Sequence, residues 1–441
     1  MGWAINNFSK PREGIKDLID AIINHVPQPK IADKKEFSML ATMSENHKYF
    51  GKLLIGKVNS GFIFQGDMAQ TLDQSKNIIE VAKISKILKR QGLNQTEEEF
   101  VTAGDIICIG GLKKSLVSHT INQSQGNIVI PTFKIEEPMV TIYVSPNSSP
   151  LQGKEGSKYA YPHIKERLFL EGVDDCALKV EEDSLKSESI KVTGRGDLHL
   201  GILIENMRRE GFEISISPPS IIIKNVGGNK LEPIEKITLE CQSQYENILI
   251  DKILNRKGTL ELTEEIKPGL IKLVFSIPTR GMIGLRAEIM MESKGTVKMK
   301  SQFDKFDSYR GALKRSSKGS IISTTNGTAT SFGLHPIEKK GRLYVGPNTP
   351  VYEGMVIGEH IYDYDLEMNP CKTKRLTNVR THTHDENIHL LEPKQFGVDE
   401  ALSFIKDDEL IEVTPKSIRI RKKILDKDKR KQEKRKNKNA E

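Results

Sequence analysis

The chain has 441 residues, of which 37% are hydrophobic and 29% charged, and a net charge of +8. That length suits three or more domains with modest cores. No apolar run approaches the ~18 residues of a membrane helix, and the first ten residues lack the basic-then-apolar order of a secretory signal. Cys108, Cys176, Cys241 and Cys371 form no CxxC pair, which argues against a zinc ribbon or disulfide framework and for a reducing, cytoplasmic compartment.

The charge is concentrated at one end. Residues 416–441 hold thirteen Lys or Arg and four Asp or Glu, a local +9, so the rest of the chain carries −1 against the whole-chain +8. The body is nearly neutral and closes on a basic tail, which reads either as a solvated end or as a phosphate-contacting arm.

In chain order, residues 1–30 read as an irregular lead, one helix (16–23) with apolar residues at helical spacing, and a linker at Pro27 and Pro29. A lone helix cannot bury its apolar face, so this one reads as the last piece of something else. Residues 31–132 read as a small β-barrel. Its clearest hairpin is Gly-Lys-Val-Asn-Ser-Gly-Phe-Ile-Phe-Gln-Gly-Asp over 56–67, and a second turn falls at Gly104-Asp105.

Residues 133–220 and 221–310 carry one pattern twice. The first copy reads strand (140–144), helix (159–170), strands (177–181 and 190–193), helix (198–209) and strand (212–216). The second reads strand (236–241), helix (245–256), strands (260–263 and 271–277), helix (282–291) and strand (296–301). Both are βαββαβ, the ferredoxin-like order. In each, an Arg-Gly step (Arg195-Gly196, Arg280-Gly281) enters the second helix. Asp197 is placed to cap the first of these helices, and Gly211 to close it in a left-handed turn.

Residues 311–425 read as a further β-rich domain. The Ser/Thr/Gly-rich stretch 311–333 reads as partly mobile, and short strands (342–345 and 356–360), a helix (398–404) and an extended segment (411–420) follow. The basic tail, 426–441, reads as disordered. The fold class is therefore multidomain α+β/β.

No catalytic set emerges from spacing. A phosphate-binding loop needs Gly-Lys followed by Ser or Thr, because backbone N–H groups cradle phosphates while Lys neutralises them. No Gly-Lys here is followed so, and neither Asp-x-x-Gly nor Asn-Lys-x-Asp occurs. Arg195-Gly196-Asp197 spells an adhesion tripeptide but is explained by a strand-to-helix turn. His382, His384, Asp385 and His389 have ligand-like spacing without a fixed fourth ligand, and read as an exposed loop rather than a metal site. Residues 372–380 carry four positive charges and no acid. Thr and Asn interleaved with Lys and Arg suit phosphate and 2′-hydroxyl contacts, against the alternative of a solvated loop.

Several stretches resemble the TypA/BipA translational GTPases. They are 192–213 (Val-Thr-Gly-Arg-Gly-Asp-Leu-His onward), 147–156 (Asn-Ser-Ser-Pro-Leu-Gln-Gly-Lys-Glu-Gly), 277–284, 351–360, 369–378 and 407–419. The last three resemble a C-terminal domain specific to that family, and the resemblance runs from Gly2 to about Lys423. It implies a domain-II-type barrel, two ferredoxin-like domains of the domain III and V types, and the family's own C-terminal domain. The family begins with a GTPase domain. Residues 1–4 resemble the stretch just after its last guanine-contacting loop, so the helix at 16–23 is expected to be that domain's last helix.

The resemblance implies a cytoplasmic, ribosome-associated factor of translation regulation or large-subunit assembly, linked to stress responses, with rRNA and A-site tRNA as partners and no membrane. Its basic loop maps onto Lys372, Lys374, Arg375, Thr377, Asn378 and Arg380. No GTP hydrolysis is expected of this chain alone, and no cofactor on it: GTP and Mg2+ would come through a missing or separate GTPase domain. The alternatives are one half of a split GTPase completed in trans, or a non-functional truncated product.

Overall fold

The computed structural model describes residues 3–5, 14–27, 36–47, 49–92, 94–132, 138–183, 186–313, 318–373 and 389–438. The chain divides into two compact units, Met1–Ile135 with Val173–Cys176, and Glu136–Gly172 with Ala177–Glu441.

In the first unit, helix α1 (Lys16–His25) buries none of its residues, and Leu18, Ile19, Ile22 and Ile23 are exposed. Ten strands follow: β1 (Ser38–His47), β2 (Gly51–Ser60), β3 (Phe62–Phe64), β4 (Met68–Leu72), β5 (Ile78–Lys83), β6 (Lys86–Gln91), β7 (Asn94–Glu97), β8 (Phe100–Thr102), β9 (Ile106–Gly110) and β10 (Thr120–Gln123). Eight form one sheet in the order β5-β4-β10-β1-β2-β9-β6-β7, and β3 pairs with β8. Alternation places Phe37, Met39, Leu54, Ile87, Ile107 and Ile109 in one core. The expected turn at Gly104-Asp105 is present, with the Asp105 carboxylate accepting from Thr102 N–H at 3.2 Å.

The second unit opens with β11 (Val140–Pro146), α2 (Tyr161–Asp174), β12 (Lys179–Glu182), β13 (Ile190–Gly194), α3 (Asp197–Arg209), β14 (Ile214–Ile216) and β15 (Ser220–Ile221). Next come β16 (Lys224–Val226), β17 (Asn229–Gln242), α4 (Glu246–Asn255), β18 (Thr259–Lys267), β19 (Leu270–Pro278), α5 (Thr279–Met282), α6 (Leu285–Glu292) and β20 (Lys298–Ser308). The two copies repeat one strand order: β12-β13-β11-β14 in the first, β18-β19-β17-β20 in the second.

Two local expectations change. Asp197 does not cap α3: Gly196 holds the cap position, and Asp197 is the first helical residue, its carboxylate accepting from its neighbour Leu198 N–H. The helix expected at 282–291 is broken into α5 and α6 at Gly284, whose φ is +73°. A Cβ there would lie 2.9 Å from the Ser403 Cβ, so glycine admits both the turn and the neighbour. Gly211 ends α3 as expected. Its φ is +91°, and the Phe212 N–H reaches back to the Met207 carbonyl at 3.1 Å.

The remaining elements are β21 (Ser320–Ser323), β22 (Gly327–Thr328), α7 (Ser331–Glu338), β23 (Gly341–Leu343), β24 (Pro350–Val351), β25 (Met355–His360), β26 (Leu366–Met368), α8 (Val398–Phe404), β27 (Glu409–Val413), β28 (Ile418–Lys422) and α9 (Lys427–Lys438). The stretch 318–333, expected to be partly mobile, instead holds β21, β22 and the start of α7, and β21 is fully buried. Its hydroxyls are used internally: Ser320 Oγ donates to Glu409 at 2.7 Å. The extended segment 411–420 is the turn and inner parts of the β27–β28 hairpin. The tail expected to be disordered forms α9 over Lys427–Lys438.

β14 pairs with β27 in the register Ile214↔Val413, Ser215↔Glu412 and Ile216↔Ile411. This joins the first copy to the C-terminal strands in a single eleven-stranded sheet, β12-β13-β11-β14-β27-β28-β25-β21-β26 with β15 and β23 at its side. Leu203, Ile214, Ile216, Leu402, Ile411 and Val413 share one core across the join. Ile411→Ala should therefore cost about 2–5 kcal/mol, as for other fully buried aliphatic truncations. Chemical denaturation reads the loss, and hydrogen exchange should show β14 losing protection together with β27. Weakening of β27 alone would mean that the join is not a cooperative core.

Candidate nucleic-acid interface

The basic loop leaves the sheet from β26, the last strand in its order, which runs parallel to β21. Asn369 turns the chain: its side-chain oxygen accepts from Cys371 N–H at 2.8 Å and from Thr325 Oγ1 at 2.9 Å. Thr330 then grips the stem. Its N–H donates to the Pro370 carbonyl and its hydroxyl to the Lys372 carbonyl. The same hydroxyl caps α7 by accepting from Gly333 N–H at 2.9 Å. A Cβ on Gly333 would stand 2.1 Å from the Pro370 oxygen, so helix and loop stem are in backbone contact. On the returning side, Leu391 N–H donates to Glu338 at the other end of α7, 2.7 Å, and Lys394 N–H to the Leu343 carbonyl at 2.9 Å. Both stems of the loop are thus held at the two ends of one helix.

Lys372 is exposed at the loop's first described turn. Lys374, Arg375, Thr377, Asn378 and Arg380 lie outside the described residues, as do His382, His384 and Asp385; His389 is described and exposed. Among the described residues, no group of three or more His, Cys, Asp and Glu side chains is arranged to hold a metal.

Two charge clusters, each centred on a buried side chain, hold the platform beneath. Lys422, 2% exposed, reaches Asp365 at 3.0 Å, Asp408 at 2.8 Å and Glu409 at 3.0 Å. Burial alone would raise the Asp365 carboxyl, but the Lys422 charge, the Ser320 N–H and the Lys406 charge outweigh it and hold it well below the usual carboxylate range. Burial likewise pulls the Lys422 ammonium down, and Glu409, Asp365 and Asp408 reverse this and raise it. The second cluster centres on Glu412, which is wholly buried. It accepts from Asn147 Nδ2 at 2.9 Å, Ser149 Oγ at 2.8 Å, Arg419 at 3.0 Å and the Tyr352 hydroxyl at 2.7 Å. Glu213, also fully buried, takes the N–H groups of Gly153, Glu155 and Gly156. Arg419 further pairs with Glu155. The motif 147–156 is therefore a loop stapled by two buried carboxylates.

Residues 318–427 match the family described as TypA/BipA C-terminal domain, and residues 229–316 match Elongation factor G C-terminus. Over 414 residues the chain is 37% identical to the Large ribosomal subunit assembly factor BipA of Escherichia coli (strain K12), covering 94% of this chain and 68% of that protein. The chain belongs to the TypA/BipA family. Likeness extends to the same-named proteins of Haemophilus influenzae, 36% identical over 95% of this chain and 68% of the relative, and of Synechocystis sp., 34% over 96% and 70%.

Sequence reasoning missed Thr330, Asn369, Glu412 and Lys422, the residues on which this TypA/BipA platform is hung. Asn369-Pro370 before a cationic run was the available signal for the loop stem. Nothing local marks Lys422 or Glu412 as buried, because each lies in a charged stretch near a hairpin.

The Lys422 cluster fixes a pH window. Asp365 has a folded pKa below its unfolded value of about 3.9, so its contribution is present above that pH and lost as pH falls toward the folded value. Lys422 is raised above about 10.4, so its contribution is present below that pH and lost as pH rises through the folded value. Lys422→Met leaves three carboxylates without their shared cation and should cost about 3–5 kcal/mol at neutral pH. Thermal melts from acid to alkaline pH test this. In the variant the acid-side loss should shrink; an unchanged neutral melting temperature would contradict the coupling.

Proposed function

We propose that this chain engages the large ribosomal subunit in its assembly or in translation, with the 372–380 loop as an RNA-contacting element. The observation that carries the reading is membership of a family whose relatives are described as large ribosomal subunit assembly factors, in a chain that shares 94–96% of its length with them. The anchoring of the stems supports it: the chain on either side of the cationic run is tied to the two ends of α7, a fixed base of the kind phosphate contact requires.

At the finer level, the eight-stranded sheet of the first unit supports a domain-II-type barrel over 31–132. The repeated strand order supports ferredoxin-like domains over 133–220 and 221–310. The segment 311–425 is read as the family-specific domain, and 1–30 as the C-terminal helix of a GTPase domain with its linker. Contact with rRNA and with A-site tRNA, in the cytoplasm, is the partner reading. GTP and Mg2+ are assigned to a GTPase domain and to no described residue of this chain.

Co-sedimentation with purified large subunits tests the reading. Binding should weaken with salt, and Lys374→Ala with Arg375→Ala should weaken it further and flatten the salt slope by about 1 to 2, since each lost phosphate contact removes roughly one unit. Binding that ignores both substitutions and ionic strength would overturn the RNA-contact role of the loop.

A further inference from the structure

α9 (Lys427–Lys438) lies almost wholly beyond the matched C-terminal domain, which ends at residue 427. Its sequence, KDKRKQEKRKNK, has eight Lys or Arg, two acids and no apolar side chain. Such a helix is marginal alone. It is about as short as isolated helices get, and the i,i+4 pairs Lys427–Lys431 and Lys431–Arg435 bring like charges together.

Yet its first turn is built into the domain. Asp426 Oδ1 accepts from Lys429 N–H at 2.9 Å, and Glu353 accepts from Lys427 N–H at 3.1 Å. Glu367 on β26 pairs with Lys427 at 2.8 Å and with Arg430 at 2.9 Å. Arg430 is 8% exposed, and its guanidinium also donates to the carbonyls of Ile424 and Leu425. Burial tends to raise the Glu367 carboxyl, but its hydrogen bonds from Lys427 and Arg430 lower it on balance. The anchor consumes only Lys427 and Arg430. Lys429, Lys431, Arg435 and Lys436 are exposed. Glu367 stands five residues before Lys372, so the strand that holds the first turn of α9 is the strand from which the basic loop departs.

We propose that α9 is a second cationic contact element, a docked helix that lies along the phosphate backbone of duplex RNA beside the site reached by the 372–380 loop. This rests on the RNA-binding reading above. The side chains select the partner. With no apolar or aromatic residue, the helix has no apolar anchor to fill a pocket in the core of a protein interface, no face to sink into a membrane, and no ring on which to stack an unpaired base. Lys and Arg with Gln432 and Asn437 are the side chains that contact phosphate and sugar. A polyanion also relieves the like-charge repulsion along the helix.

The test uses the full chain with two probes, a labelled RNA duplex and purified large subunits, across a salt series. In one variant Lys431, Arg435 and Lys436 are each replaced by Gln; in another, Glu367→Ala frees the helix while keeping all its cations. The triple variant should lower the salt slope on duplex RNA by about 2 to 3, and the low-salt affinity about tenfold or more. Glu367→Ala should weaken binding severalfold, and hydrogen-exchange protection over 431–438 should rise on adding duplex to the wild type and rise less in this variant. An unchanged slope in the triple variant overturns the contact. A Glu367→Ala variant that binds duplex RNA as the wild type does overturns the docked placement. Equal loss of binding to a poly-glutamate control overturns the RNA assignment in favour of an acidic protein. If the wild type binds duplex RNA through α9 but not large subunits, the ribosomal reading fails and the helix assignment stands; if it binds large subunits undiminished by the triple variant, the helix assignment alone fails.

Discussion

Glu412 sits fully buried on β27, opposite Ser215 of β14, where two stretches some 200 residues apart in sequence become neighbouring strands of one sheet. An unpaired carboxylate there would cost several kcal/mol or more. It is tolerated because donors converge on it from Asn147, Ser149, Tyr352 and Arg419. The donors come from three separate stretches, the 147–149 loop, Tyr352 and Arg419, so none can withdraw without leaving the charge short of a partner in an apolar interior. The join between the first βαββαβ copy and the C-terminal strands is thereby specified, whereas apolar pairing alone would tolerate a slipped register.

That join sets the position of what lies farther along the sheet. β28 follows β27 and carries Lys422 into the midst of Asp365, Asp408 and Glu409. Asp365 immediately precedes β26, the edge strand from which the basic loop departs and on which Glu367 holds α9. The chain thus gathers acids around cations at successive points: three carboxylates around Lys422, then Glu367 for Lys427 and Arg430 at the start of the helix. Exposed pairs are worth little, but Lys422 and Arg430 are buried, and their pairing is directional rather than a diffuse surface effect.

The first unit is built more simply. Its strands alternate, its turns fall at glycines, and its core is apolar. The apolar residues of α1 remain exposed. Among its described residues, the fully buried polar side chains are uncharged, such as Ser38, Thr71 and Asn122, and none plays the part that Glu412 plays in the second unit.

Much of this was readable from local pattern. The repeated strand–helix order, the close of α3 at Gly211, the helix at 398–404 and the cationic character of 372–380 all follow from periodicity, glycine chemistry and composition over a dozen residues or fewer. Family membership was likewise carried by contiguous motifs. What only the tertiary structure decided is set by pairing at long sequence separation. The fusion of β14 to β27, the burial of Glu412 and Lys422, the ordering of 318–333 through hydroxyls turned inward, and the docking of α9 on Glu367 each need a partner that no local window contains. A charge or hydroxyl looks solvated in sequence; it becomes structural only when folding brings the group that satisfies it.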